Sequence, residues 1–580
     1  MADKILNSFD VWIGAQGWKS KLRLKSVDNI SLEGIARLRE LILELAVRGR
    51  LEPQEPSAEP ASALLKKMAK EEEDLVKKKI IKKPKELPPI NSEEFPFELP
   101  IGWEYIRLNN IGEWGAGATP LRGKNEYYGG NIPWFKSGEL SSDFISKSEE
   151  TVTELALKES SLRYNKVGDV LIAMYGATIG KTSILNIPAT TNQAVCACTP
   201  FNGVYNVYLL HLLKAYNKRF VNMGAGGAQP NISREKIIAT VIALPPLAEQ
   251  HRIVAKVNEL MALCDELEQQ ETNHLKSHQL LVETLLGTLT QAKDAAEFQT
   301  AWATLAQHFD DLFITEDSID QLKQTILQLA VMGKLVKQDP KDEPASVLLE
   351  RISKEKERLI QEGVIKKQKA LPEIGDEEKL FTLPKGWEWD RLNNLIDVRD
   401  GTHDSPKDAS GSNTYPLVTS ANFVNGKIDF DGARRISEED HNEISKRSRV
   451  DKLDILFSMI GGNLGNQVIV EDDSEFSIKN VALFKYYDQG LTNPYFFKRY
   501  FEFLAVDLQA KAKGGAQPFV SLGFLRNLVF ALPPIDEQKC IVKKVDDLFY
   551  LCDRLKERIA EAQKISNDLA KSVLNLVESK

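Results

Sequence analysis

Cysteine and histidine are scarce in this 580-residue chain, with five of the first and seven of the second. The thiols Cys196, Cys198, Cys264, Cys540 and Cys552 are an odd, scattered set, which excludes a disulfide framework and suits a reducing compartment. Only Cys196 and Cys198 are close together. They are one residue short of a CxxC knuckle and lack a second pair, so they read as buried strand residues rather than zinc ligands. The histidines form no HExxH pattern, and no metal is expected. No apolar run is long enough to span a bilayer, and the start Met1-Ala2-Asp3-Lys4 lacks the apolar core of a signal peptide, so a cytoplasmic location is expected. There is no excess of positive charge either. The formal net charge of −8 gives no global attraction to nucleic acid, so any such binding needs a local surface. A composition 42% hydrophobic and 27% charged excludes wholesale disorder and collagen. The length predicts several domains at about 100–200 residues each.

What the chain does contain is a long internal repeat. The segment LRELILELAVRGRL at 38–51 returns 284 residues later as LKQTILQLAVMGKL at 322–335, and EPAS at 59–62 returns at 343–346. LPIGWEYIRLNNI at 99–111 returns as LPKGWEWDRLNNL at 383–395, and GGAQPNIS at 226–233 as GGAQPFVS at 514–521. LPPLAEQHRIVAKVNELMALCDEL at 244–267 returns as LPPIDEQKCIVKKVDDLFYLCDRL at 532–555. The flanks agree closely, whereas the interiors 112–223 and 396–511 share only features such as Met174-Tyr175-Gly176 against Met459-Ile460-Gly461. A common frame with divergent interiors suits two similar folds that recognise different things.

Each unit reads in one order. Leu38, Leu41, Ile42 and Leu45 make one face of a first helix. A second helix follows Pro60 and runs into EEEDLVKKKIIKK, which Pro84 should terminate. In that run Glu73 and Asp74 precede Lys77 and Lys78 by four residues, the pattern of a solvated helix face. A Pro-rich extended linker leads to Gly102-Trp103, where Trp103, like Trp387, should anchor the start of a body in its core. The body carries strand-like runs at 170–173 and 195–199, a helix over 208–216, a Gly-rich loop at 224–227 and a last strand over 237–244. After each Pro pair comes a long helix. In the second unit Ile541, Val545, Leu548, Cys552, Leu555 and Ile559 step by four and three, and the series continues through Ser566, Leu569, Val573 and Leu576, a heptad seam. Ile253, Val257, Leu260, Cys264 and Leu267 repeat it in the first unit, before Glu271, His274 and His278 interrupt it; those two histidines are expected to tune packing or register. A helix over 248–291 is about 65 Å long and needs a partner. The other copy is the obvious one, paired antiparallel, with the core of each body outside the seam.

The order of MYGATIGKTSI (174–184), TNQAV (191–195), GGAQPNIS and ALPPLAEQHRIVAKV (243–257) opening a long helix, all duplicated, closely resembles the specificity subunit of Type I restriction-modification systems, in the branch with an extended N-terminal region. The resemblance covers nearly the whole chain from about Leu32. It implies two target-recognition domains, each binding half of a split site on double-stranded DNA, with paired helices fixing the gap. It also implies two methyltransferase (modification) subunits and restriction/translocase subunits as partners, no membrane, and S-adenosylmethionine, ATP and Mg in those partners. This subunit then binds no cofactor and is non-catalytic by itself, within a complex that has adenine-N6 methyltransferase and ATP-dependent endonuclease activity. The expected fold is α+β: two mixed α/β target-recognition domains joined by a long antiparallel two-helix coiled coil, with a pseudo-two-fold internal repeat. The expected division is an N-terminal helical region at 1–95, recognition domain 1 at 96–245, the first long helix at 246–292, a helical linker at 293–380, recognition domain 2 at 381–533 and the second long helix at 534–580.

Local charge is uneven, because 102–245 carries 14 Lys/Arg against 11 Asp/Glu and 386–532 carries 17 against 21. The second body therefore needs a local basic patch, for which the run at 446–452 is the candidate. The DNA-binding candidates are Thr178, Lys181, Asn192, Gln193 and Gln229 in the first body, with His403, Asn463, Asn466, Lys479 and Gln517 in the second. Asn and Gln suit adenine's edge, and Lys suits guanine or phosphate. GATIGKT at 176–182 imitates a P-loop but has three residues between its glycines where that loop needs four, so it reads as a tight turn that is structural or lies on DNA. Asn493-Pro494-Tyr495-Phe496 imitates an amino-methyltransferase signature but lacks the second proline and reads as a helix N-cap followed by Pro. A free-standing methyltransferase or nuclease, or a coiled-coil interaction scaffold, are the competing functions.

Overall fold

The computed structural model describes residues 32–55, 57–224, 230–512 and 519–578. They form two compact units, one of residues 32–274 with 569–578 and one of residues 275–568.

The first unit opens with α1 (Leu32–Val47), whose Ile35, Ile42, Ala46 and Val47 are buried. The chain then reverses at Gly49, where φ is +66° and a Cβ would lie 2.5 Å from Pro100 Cγ and 2.9 Å from Trp103. Only glycine fits both constraints. Gly333 repeats them, with φ +67° and Trp387 at 3.0 Å. Helix α2 (Ala61–Lys77) stops well before Pro84. Lys79 adopts φ +58°, its N–H donating to Val76 O at 3.0 Å while that of Ile80 donates to Leu75 O at 2.9 Å, so a left-handed C-cap and not the proline ends the helix. Glu73 and Lys77 pair at 2.8 Å on the solvated face, as their spacing predicts.

Strand β1 (Glu104–Arg107) pairs antiparallel with β2 (Val241–Leu244), Glu104 against Leu244 and Arg107 against Val241. The body therefore begins and ends in one place. The strand expected over 237–244 is shorter: Ser233 caps a helix Arg234–Ala239, accepting from the Lys236 N–H at 3.3 Å, and only Val241–Leu244 is extended. Between β1 and β2 lie a five-stranded sheet, ordered Gly112–Ala116, Val195–Pro200, Val170–Ala173, Thr182–Leu185, Phe144–Ile145, and a three-stranded sheet of Glu150–Val152, Tyr128–Phe135 and Thr190–Thr191. Cys196 and Cys198 are buried inside their strand, and burial pushes the Cys196 thiol up to about 12. A helix Asn206–Ala215 packs on the sheet. It buries His211, whose imidazole is driven down to about 4 by burial and by the nearby Lys214.

Helix α3 (Leu247–Gln291) runs 45 residues, about 68 Å, with residues 247–274 in the first unit and 275–291 in the second. Its seam residues Ile253, Val257 and Cys264 are buried, with Leu260 and Leu267 packed beside them, in one core with α1 and the body's helix. Arg39 on α1 binds Asp265 at 2.7 Å and Glu268 at 2.6 Å. The expectation that the core lies outside the seam fails, because the helix start serves as a wall of its own unit.

The second unit repeats this plan. Helix α4 (Glu316–Val331), α5 (Ala345–Gln361), β3 (Glu388–Arg391), β4 (Val529–Leu532) and α6 (Ile535–Glu578) follow in order. Strand β3 pairs with β4, Glu388 against Leu532 and Arg391 against Val529. Its body holds a four-stranded sheet, ordered Ile396–Asp400, Val481–Tyr486, Ile455–Ser458, Gln467–Ile469, and a three-stranded sheet of Arg434–Ser437, Thr414–Val418 and Ser477–Ile478. Ile541, Val545, Leu548, Cys552 and Leu555 are buried in this unit's core, with Ile559 packed against it. The side chains of Ser566, Leu569, Val573 and Leu576 lie outside the described residues. His278 Nε2 meets the Leu312 carbonyl at 3.0 Å within the second unit. Leu281 is 50% exposed.

A buried arginine closes each body. Arg107 donates to Pro88 O at 3.1 Å, Ala239 O at 2.7 Å and the Glu94 carboxylate at 2.9 Å, and Arg391 donates to Pro372 O at 3.2 Å, Asn527 O at 2.7 Å and Glu378 at 2.7 Å. Trp103 and Trp387 are buried as expected, Trp103 donating to Gln54 at 3.1 Å and Trp387 to Glu537 at 2.9 Å. Among the described residues no helix is long and apolar enough to cross a membrane.

Two outcomes follow. Gly49→Ala and Gly333→Ala should each destabilise their unit by about 1–3 kcal/mol, read as a lower thermal transition, since both φ and the proline ring oppose a methyl group. For His211 the folded value of about 4 lies below the free value of 6.5. The unfolded chain therefore takes up the proton first, and stability falls as pH drops through that window, by up to about 3 kcal/mol. In urea unfolding, wild type should lose stability relative to His211→Leu as pH falls from about 6.5 to about 4; a difference constant with pH would contradict this.

Candidate nucleic-acid interface

The central strand of each body ends in one tight turn. In the first body Val170–Ala173 leads into Met174-Tyr175, then a single 3-10 turn Gly176–Thr178, and returns as Thr182–Leu185. The Gly180 N–H donates to Ala173 O at 2.9 Å and that of Ala173 to Lys181 O at 2.8 Å. In the second, Gly461–Asn463 forms the same turn, with Gly465 N–H to Ser458 O at 3.0 Å and Ser458 N–H to Asn466 O at 2.8 Å. Gly176 and Gly461 have φ of +62° and +74°, and a Cβ on either would meet nothing within 4 Å. Glycine is required there by the backbone, and the space above the turn is open. The far end is packed, Gly180 against Asn217 and Gly465 against Ala505. This is the tight turn that the spacing predicts.

Beside each turn two segments cross. Gly117 N–H donates to Val195 O at 2.9 Å, Ala118 N–H to Thr191 O at 3.0 Å and Asn192 N–H to Phe135 O at 2.9 Å. In the second body Gly401 donates to Val481 O at 3.0 Å, Thr402 to Ile478 O at 3.0 Å and Lys479 to Val418 O at 2.9 Å. The backbone frame is the same, so Asn192 and Lys479 occupy one position. The side chains on it differ. Thr119 donates to the Gln193 side chain, whereas His403 meets Asn480 Oδ1 at 3.2 Å and Asp400 at 3.0 Å. Lys479 donates to Ser405, and Asn192 Oδ1 accepts from the Ala194 N–H at 3.2 Å. Met174 N–H donates to Ala194 O at 2.8 Å, which joins the crossing to the turn in the first body.

The structure thus brings Asn192 and Gln193 together with Thr119 at the crossing, and places Thr178 on the turn. Thr178 spends its hydroxyl on Tyr175 O at 2.7 Å. Lys181 is exposed on the turn's other side, lining a cleft of about 510 Å³ with Lys214 and Lys218, which pair with Asp143 and Glu40. Asn463 and Asn466 are exposed on the second turn, and His403 and Lys479 sit together at its crossing. Gln229 and Gln517 lie outside the described residues, as does most of each Gly-rich loop. Thr119 and Asn480 escape sequence reasoning, although the 284-residue offset that carries Gly117 to Gly401 also carries Thr119 to His403. The run at 446–452 is no open basic patch: Lys446 pairs with Glu443, Arg447 with Asp400, Arg449 with Asp451 at 3.3 Å and Lys452 with Asp473 at 3.7 Å. Asn493 does cap its helix, accepting from the Tyr495 N–H at 3.0 Å ahead of Pro494. Among the described residues no group of three or more His, Cys, Asp or Glu could hold a metal ion.

Comparison with known proteins gives a duplicated match. The model of the Type I restriction modification DNA specificity domain fits residues 100–277 and again 384–564. The chain is 37% identical to the Type I restriction enzyme EcoAI specificity subunit of Escherichia coli, and 35% identical to that of EcoEI from the same species, over 98% of both chains in each case. A solved chain from a study of assembly and conformational transition in the type I R-M system overlays 83% of this chain and 98% of its own length at a TM-score of 0.48 and 18% identity.

The turn geometry carries its own expectation. With three residues between Gly176 and Gly180, the Ile179, Gly180 and Lys181 N–H groups donate within the hairpin and that of Gly176 to Pro230 O, so calorimetry on the pure chain should detect no ATP or S-adenosylmethionine binding; micromolar affinity for either would contradict this reading of the turn.

Proposed function

Because this chain belongs to the family of Type I restriction-modification DNA specificity subunits, we propose that it is the sequence-specificity subunit of such a complex, each body reading one half of a bipartite site on double-stranded DNA. The observation that carries this is the crossing beside each turn, where one backbone frame presents Thr119, Asn192 and Gln193 in one body and His403, Lys479 and Asn480 in the other. A common scaffold with exchanged hydrogen-bonding side chains is what two readers of different sequences require. The bodies are the recognition domains at 96–245 and 381–533. The chain is non-catalytic by itself. Two methyltransferase subunits and the restriction/translocase subunits are its partners, and S-adenosylmethionine, ATP and Mg²⁺ belong to them. Mapping modified adenines in DNA from cells that carry the chain with its methyltransferase tests the reading: a split motif that disappears without this chain supports it, and methylation indifferent to the chain sinks it.

Long helices α3 and α6 pair antiparallel as a spacer that sets the gap between half-sites. Supporting this, α3 spans both units and none of its side chains between Cys264 and Val282 is buried, Leu267 and the Arg39 ion pairs to Asp265 and Glu268 being its last contacts to the first core.

Two predictions belong to this proposal. Alanine at a base contact among Asn192, Gln193, His403, Asn463, Asn466 or Lys479 should relax one position of one half-site and cost about 1–3 kcal/mol, whereas loss of a phosphate contact, for which Lys181 is the candidate, should weaken all sites alike and lower the salt slope by about one. Removing one heptad from each helix, residues 268–274 and 560–566, should shorten the spacing by about 10 Å, roughly three base pairs, and turn one body about the DNA axis by about three tenths of a turn. A library of randomised gaps should then yield a shorter gap with both half-sequences unchanged, or no binding at all. Full affinity for the original gap would show that something else sets it.

A further inference from the structure

Next to each turn a short backbone bridge holds the open end. Tyr175 bridges Asn231 in the first body and Ile460 bridges Phe519 in the second, both antiparallel. The repeat aligns Tyr175 with Ile460 through the Met-x-Gly match, and Asn231 with Phe519 through GGAQPNIS and GGAQPFVS. The hydrogen bonds agree, since Ile232 N–H donates to Met174 O and Val520 N–H to Met459 O, each at 2.9 Å. Each bridge therefore carries one aromatic residue, but on opposite strands. Both rings are solvent-facing, Tyr175 at 43% exposure and Phe519 at 60%. An exposed ring is unfavourable to leave in water. Here it recurs at one place while the strand that supplies it changes, and it stands at the mouth of the open glycine turn beside the polar crossing.

We propose that Tyr175 and Phe519 are the same DNA contact, a ring laid against sugar and base edges of its half-site and delivered from either strand of an equivalent bridge. The ring carries no charge, so its contribution is apolar packing in a groove, where a thymine methyl or a deoxyribose is the complementary surface. The polar side chains at the crossing then orient the duplex, and the ring excludes water at its edge. This rests on the reading of the bodies as DNA readers. It adds two residues to that reading and predicts that position matters while strand of origin does not.

The test uses the chain assembled with its methyltransferase partner and a duplex bearing the mapped site, with affinity measured across a salt series. Tyr175→Ile, which copies the second body's residue without its aromatic partner, should weaken binding about tenfold with the salt slope unchanged. Adding Asn231→Phe should restore affinity to within about threefold, and Tyr175→Phe should stay near wild type. Thermal transition and co-purification with the methyltransferase should be the same for all of them. Wild-type affinity for Tyr175→Ile would overturn the inference while leaving the DNA reading intact, as would a double variant no better than the single one. Loss of the methyltransferase from Tyr175→Ile would also overturn it, by making the ring a protein contact. Failure of the wild-type complex to bind the duplex would overturn the DNA reading and this inference together.

Discussion

The buried guanidinium at the end of each entry strand is the constraint on which the rest of this architecture depends. A charged side chain out of water is tolerated only when its donors are satisfied, and Arg107 and Arg391 achieve this with three sequence-distant groups: a carbonyl of the Pro-rich linker, a carboxylate just after it, and the carbonyl that precedes the exit strand. In return Arg107 holds Glu94, and Arg391 holds Glu378, below the usual carboxylate range. Linker, entry strand and exit strand are thus tied at one point. Whatever lies between β1 and β2, or between β3 and β4, starts and finishes at the same register, while its own helix packs on the helices of the frame. Gly49 and Gly333 seat the linker's proline and the entry tryptophan against α1 and α4 in the same way.

The same economy governs the site. Backbone hydrogen bonds fix the turn and the crossing in both bodies, leaving the side chains at 119, 192 and 193, and at 403, 479 and 480, to differ. A frame made of main chain does not constrain the residues it displays, which is why one fold serves two recognition tasks. The long helices follow the opposite logic. Ile253, Val257 and Cys264, like Ile541, Val545 and Leu548, are committed to the core of their own unit, so only the stretch beyond them is available as a spacer.

Much of this was legible in the sequence where the repeat is strong. The repeat located both units, with the Trp anchors 284 residues apart and the starts of the long helices 288 apart, and the failed P-loop spacing indicates the observed turn. Errors arose where local chemistry outranks periodicity. Ser233 starts a helix inside an apolar run that looks like a strand, and Lys79 ends α2 by adopting a left-handed conformation with no glycine or proline to announce it. A heptad pattern reports one apolar face but not its partner, so it implies an interface between long helices, whereas the first turns of the seam face the α1 and α4 cores. The basic run at 446–452 fails as an open patch for another reason: its acids are Glu443, Asp400, Asp473 and, inside the run, Asp451, and Asp400 and Asp473 are remote in sequence. At the site, Asn192 and Lys479 were each recognisable as polar candidates, but the interiors differ in length, and their equivalence emerges only from the hydrogen bonds.

The central claim is that the closing frame is common and the interior alone decides what is read. It is tested most directly by a chain in which residues 392–528 replace residues 108–240, so that Arg107 and β2 close a copy of the second interior. Adenine methylation mapped in cells carrying this chain with its methyltransferase should reveal a symmetric site, built from two copies of the second half-sequence at the original gap. A folded, assembled chain that still directs methylation to the parental asymmetric site would contradict the account.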